Sequence, residues 1–176
     1  MQTPIVFLDV DGVLNSRRWD ARSGAAEEAG PPTERELWER RIDPECVARL
    51  DRLLQRTGAV VVVSSSWRKR LPLNEIVRIL EARGFRGRIV GATVTEDNTA
   101  SRGAEITRWL TENDTRGAAY VVLDDEVVED VPPELVVRPS EGTGLTDQDI
   151  DRALLILTGR SGQQVEERQA GRGSDA

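Results

Sequence analysis

The 176-residue chain carries 31 acidic against 24 basic residues, a formal charge of −7, and no histidine. That balance argues against the broad basic face of a protein living mainly by phosphate-backbone contacts; the missing histidine excludes a Ser-His-Asp triad, a His-ligated zinc and a histidine general base within this chain. The single cysteine, Cys46, excludes an intrachain disulfide and a thiolate zinc cluster, which leaves carboxylates for acid–base work and an oxygen-donor site of the kind that suits magnesium.

The length suits one domain, read as residues 1–158 with a polar, Gly/Ser-rich tail over 159–176 that is expected to be disordered. There is no charged leader with an apolar core, and no uninterrupted apolar run near the ~18 residues that span a bilayer. The expectation is a soluble cytoplasmic protein with no membrane partner and no obligate protein partner.

In chain order, the first apolar run, "IVFLDV" (5–10), reads as a strand that ends among Asp9 and Asp11 before Gly12. Residues 15–42, rich in charge and holding Gly24, Gly30, Pro31 and Pro32, break the rhythm and read as a flap or short helical insertion. Asp43 as N-cap and Pro44 in the first turn then open a helix with Val47, Leu50, Leu53 and Leu54 on one face, closed by Gly58. "AVVVVS" (59–64) is the second strand, ending in Ser64, Ser65 and Ser66. Leu73, Ile76, Val77 and Leu80 form the next helical stripe, which stops at Gly84, and "RIVGA" (88–92) is the third strand.

Ile106, Trp109 and Leu110 mark a third helix, after which "AAYVVLDD" (118–125) ends on Asp124 and Asp125. "ELVVRP" (134–139) is a weaker fifth strand, and Thr146 with Asp149 forms a capping box ahead of Ile150, Ala153, Leu154 and Leu157. Short β-branched strands alternating with helices predict an α/β sandwich around a parallel sheet, whose ligands sit beyond the carboxyl ends of the strands. Three strand ends therefore offer carboxylates and hydroxyls to one rim.

An Asp-x-Asp-Gly strand end, a second strand ending in serine, a basic residue at a helix start and a strand ending in Asp-Asp resemble, in that order, the motif set of the haloacid dehalogenase (HAD) superfamily. "FLDVDGVLN", "SSSWR", "RGAEITRWL", "VVLDD" and "TGLT" are similar to the capless HAD-type domain found with Swiss-Army-knife RNA repair proteins. The resemblance runs from Ile5 to Leu157. It implies a three-layer α/β/α, Rossmann-like fold with a mostly parallel five-stranded sheet and a minimal cap or none.

The resemblance also implies roles. Asp9 is the expected nucleophile of a magnesium-dependent phosphomonoesterase that works through an aspartyl-phosphate, and Asp11 the general acid and then base. Magnesium is expected on the Asp9 carboxylate, the Asp11 backbone carbonyl and the acidic pair, with Asp125 the direct ligand and Asp124 a direct or water-mediated helper. Ser64 or its neighbour Ser65 would bind phosphate together with Gly12, which also lets the chain turn away, and Arg102 is the positive clamp, preferred over Lys69. Asp11 favours phosphoryl chemistry over dehalogenation, which does not need it.

Each residue also has a plainer reading as a turn, cap or surface charge, and Trp67 and Trp109 read as core. Trp19 and Trp38 fall in the irregular 15–42 segment and stay open between core and substrate contact. Arg17, Arg18, Arg22, Arg68, Lys69 and Arg70 could give local positive charge for a polynucleotide end, and equally read as solvated charges. The alternatives are a small-metabolite or nucleotide phosphatase or phosphotransferase of the same fold, and a non-catalytic phosphate-binding or scaffold domain.

Overall fold

A computed structural model of the chain describes residues 2–23, 32–94 and 100–159. Within them lie strands β1 (Ile5–Leu8), β2 (Val60–Val63), β3 (Ile89–Ala92), β4 (Tyr120–Leu123) and β5 (Val136–Val137). The helices are α1 (Arg17–Ser23), α2 (Glu34–Arg41), α3 (Pro44–Thr57), α4 (Leu73–Ala82), α5 (Arg102–Glu112) and α6 (Asp147–Leu157). The strands form one sheet in the order β3-β2-β1-β4-β5, and every pairing is parallel. The chain builds outward from β1 to β3 on one side and then crosses to β4, so the crevice between β1 and β4 is the topological switch point where such folds bind ligands.

Alternation along the strands explains the layers. Val6, Leu8, Val61, Val63, Val121 and Leu123 pack with Val47, Leu50, Ile76, Leu80, Ile150 and Ala153 from α3, α4 and α6. Ile5, Phe7, Val60, Val62 and Val122 pack on the other face with Ile106 and Leu110 of α5. The central strands are apolar at every position because both faces are covered. The edge strand β3 is only half-buried, with Val90 42% exposed.

The helix ends follow the sequence signals. The Asp43 side chain accepts from the Glu45 N–H with Pro44 in the first turn, and Thr146 and Asp149 cap α6 reciprocally. The strands are shorter than the apolar runs. β1 ends at Leu8 and β4 at Leu123, and the start of the β5 run belongs to a 3₁₀ turn (Pro133–Leu135) before a two-residue strand.

Among the described residues, the 15–42 segment holds the two short helices α1 and α2. The Trp19 indole N–H donates to the Arg40 carbonyl at 2.8 Å, which ties α1 to the end of α2, and Trp38 packs edge-on against Trp67 at 4.7 Å. Residues 24–31 of this insertion, and the tail beyond Gly159, lie outside the described residues. Among the described residues no helix is long and apolar enough to cross a membrane.

The start of α5 is fixed by a close approach. A Cβ on Gly103 would lie 1.9 Å from the Glu129 carbonyl oxygen, so the first turn of α5 reaches the loop after β4 only because residue 103 has no side chain. Gly103→Ala is expected to lower stability by about 1–3 kcal/mol, the usual scale of overpacking, read as a fall in the urea midpoint. An unchanged midpoint would mean that this contact does not set the position of α5.

Candidate active site

Leu8 of β1 is level with Val63 of β2 and Leu123 of β4. The next residues are therefore Asp9, Ser64 and Asp124. The ladder continues one step past the strands, with the Asp9 N–H donating to the Leu123 carbonyl and the Ser64 N–H to the Leu8 carbonyl. Register alone brings Asp9 and Asp124 together at the switch point.

Oxygens of Asp9, Asp124 and Asp125 all lie within 4.8 Å of one another. Like charges at that spacing repel by roughly 3 kcal/mol or more per pair at an effective dielectric near 20. One cation of the chain offsets part of this. Arg102 Nη1 donates to Asp9 Oδ2 at 2.6 Å and to Asp124 Oδ2 at 2.5 Å. Burial draws the Arg102 pKa down, but the charges of Asp9 and Asp124 outweigh it and the net direction is up.

The remaining charge is unbalanced. Burial, reinforced by Asp9, pushes the Asp124 carboxyl up to about 6, and the same two causes raise Asp125. Asp124 Oδ1 accepts from the Glu126 N–H, and the Asp125 carboxylate accepts from its own backbone N–H. Three clustered carboxylates with no nitrogen or sulfur donor fit a hard divalent cation.

Asp11 stands apart from this group. Its Oδ1 accepts from Asn15 Nδ2 at 2.8 Å and Arg41 Nη2 at 3.0 Å, and its Oδ2 accepts from the Trp67 indole N–H at 2.9 Å. Gly12 has φ +71°, and a Cβ there would lie 2.2 Å from Asp125 Cγ. Glycine is thus needed twice, for the left-handed turn and for room beside Asp125. The Gly12 N–H donates to Asn15 Oδ1 at 2.8 Å, so Asn15, buried at 5%, ties the turn to the Asp11 side chain.

Asp9, Asp11, Gly12, Arg102 and Asp125 line one cavity of about 580 Å³, together with Asn15, Arg17, Asp20, Arg41, Ser66, Glu126 and Glu141. Of the three serines, the cavity wall is Ser66. Ser64 is buried, with its hydroxyl 3.5 Å from Thr93 Oγ1, and the Ser65 hydroxyl caps the Trp67 N–H. The 3₁₀ turn (Ser66–Lys69) that starts here swings the chain outward one to two residues later than the strand pattern implies.

Two of the basic residues read as mouth charges are already paired. Arg68 is half-buried in an ion pair with the buried Glu105, and Arg17, in the cavity wall, makes a two-pronged contact with Glu141. Trp67 is buried as a core residue and also serves Asp11. Arg41, Asn15 and the Glu105 pair had no signal in the sequence beyond their residue type. The lone thiol is no nucleophile, because burial beside Asp43 pushes the Cys46 pKa up to about 11.

Residues 5–150 match the family model of the HAD domain in Swiss Army Knife RNA repair proteins. No curated protein and no solved structure matches the chain.

The raised Asp124 pKa fixes the direction of a pH effect. Its ordinary value is 3.8, so the metal-free folded protein holds this proton more tightly than the unfolded chain. Deprotonation between those values and about pH 6 lowers stability, and a bound cation reverses that loss. Divalent-cation affinity measured by calorimetry is expected to rise about tenfold per pH unit up to about 6 and then to level off, as the proton leaves Asp124. A flat profile would remove Asp124 from the ligand set.

Proposed function

The chain belongs to the family of HAD domains found in Swiss Army Knife RNA repair proteins, and from that premise we propose that it is a magnesium-dependent phosphomonoester hydrolase acting on a polynucleotide end. The observation that carries this reading is the division of acids: Asp9 and Asp125 in the cavity wall clustered with the buried Asp124, and Asp11 held separately by three donors.

Asp9, Asp124 and Asp125 would hold the magnesium ion, joined by the Asp11 backbone carbonyl. Bound there, the ion neutralises charge on a phosphate and on the carboxylate that must approach it. Asp9 attacks phosphorus, the bond to the leaving oxygen breaks, and Asp11 gives that oxygen its proton. The product is an aspartyl-phosphate on Asp9. Asp11, now a carboxylate, takes a proton from water as the water oxygen attacks phosphorus, which releases phosphate and restores Asp9.

Arg102 holds Asp9 in place and offers its remaining donors to phosphate oxygens. Ser66 offers a hydroxyl from the opposite wall, with Ser64 and Ser65 behind it. The open cavity, bordered by Arg17 and Asp20 of α1 and Arg41 at the end of α2, favours a large substrate over a small metabolite that needs enclosure. A phosphate-binding scaffold has no need of a separately held Asp11.

Phosphate release from a generic aryl phosphate is the test. The wild-type protein is expected to turn it over only with magnesium, Asp9→Asn to lose about 10³-fold or more, and Asp11→Asn about 10²- to 10⁴-fold. Cation binding without turnover of any phosphate ester would leave the scaffold reading in place.

A further inference from the structure

The rim around Asp9 is electrically lopsided. One wall is acidic: Asp20, Glu126 and Glu141 line the cavity beside Asp125, with Arg17 paired to Glu141 at 2.8 Å and Arg138 donating to the Asp125 carbonyl at 3.1 Å. Asp125, Glu126 and Glu141 outnumber those two cations, which disfavours a polyanion leaving the reacting phosphate in that direction.

The opposite wall opens into a second hollow of about 220 Å³, lined by Asp11, Trp38, Arg41, Ser66, Trp67 and Arg70. It shares Asp11, Arg41 and Ser66 with the main cavity, so the two spaces adjoin. Arg41 lies 5.5 Å from the Trp38 ring centre and 5.7 Å from that of Trp67, a cation–π arrangement at the junction. Arg70 is exposed at the far side, and among the described residues its side chain forms no ion pair. An open guanidinium one step from an Arg–Trp stack is the chemistry that receives alternating phosphates and bases.

We propose that this hollow is the strand path: a nucleic-acid end places its terminal phosphate at Asp9, rests the adjoining nucleoside on the Trp38–Arg41 stack, and sets its next phosphate against Arg70. The inference rests on the phosphomonoesterase reading for the position of the terminal phosphate. It adds the direction in which the substrate leaves, and it gives α2 a role, since α2 carries both Trp38 and Arg41.

Binding separates the two claims. In an Asp9→Asn background with magnesium at fixed ionic strength, a short single-stranded oligonucleotide with a terminal phosphate is followed by fluorescence anisotropy. Adding Arg70→Glu is expected to weaken it about tenfold or more, the scale of a lost charge-assisted contact, and to reduce its salt dependence by about one ion.

Glu126→Lys on the acidic wall is the comparison. An affinity unmoved by Arg70→Glu and raised tenfold by Glu126→Lys overturns the proposal, because the strand then runs over the other wall. A phosphopeptide of equal charge that binds as tightly, with the same loss on Arg70→Glu, also overturns it. Absence of aryl phosphate turnover by the wild-type protein would instead strike the catalytic reading and leave this binding result to stand or fall by itself.

Discussion

One nitrogen of Arg102 donates to both Asp9 and Asp124, and the arrangement of the rim depends on that bridge. Parallel pairing of β1 with β4 sets two buried carboxylates side by side, at 6% and 1% exposure, which an apolar sheet cannot tolerate uncompensated. The guanidinium meets part of the charge, and its own position is fixed by the backbone. Ser101 caps α5, and Gly103 lets its first turn press on the carbonyl of Glu129, a few residues past Asp124. A strand register, a helix cap and a missing Cβ thus converge on one cation. What they leave over is negative charge, and that surplus is what a divalent cation fits.

Asp11 is kept out of this cluster by a different set of constraints. The positive φ at Gly12 turns the chain away from Asp125, and Asn15 braces both the turn and the carboxylate. Arg41 and the Trp67 indole come from the helical insertion and from the turn after β2, so the Asp11 carboxylate is held by elements remote in sequence. The same insertion lines the cavity with Arg17 and Asp20 of α1 and pairs Arg17 with Glu141. The position of α2 bears on Asp11 directly, through Arg41.

Much of this could be read from the chain because its signals are local. Alternation of apolar runs and helical stripes gave the sheet and its flanking helices, and the polar residues that end those runs, Asp9, Asp124 and Asp125, lie at one rim because parallel strands end together. Arg102 was legible as the first residue of a helix. The serines were less so: a single 3₁₀ turn decides that Ser66 and not Ser64 or Ser65 lines the cavity, and no pattern in "SSSWR" marks where the strand stops. Arg41 and Trp67 meet Asp11 across 30 and 56 residues of chain. Such contacts depend on how α2 docks and on the turn after β2, which periodicity does not encode. Arg68 reads as a mouth or surface charge, yet that same turn sets it, half-buried, against Glu105 of α5.

The central claim is that Asp9 carries the phosphoryl group. Acid-quenching the protein during turnover, reducing with borohydride and sequencing the peptides by mass spectrometry tests it directly, because an acyl phosphate is reduced to an alcohol whereas a free carboxylate is not. The expected result is homoserine at position 9, dependent on both substrate and magnesium. Turnover with residue 9 still aspartate throughout, or the alcohol at another position, would contradict it.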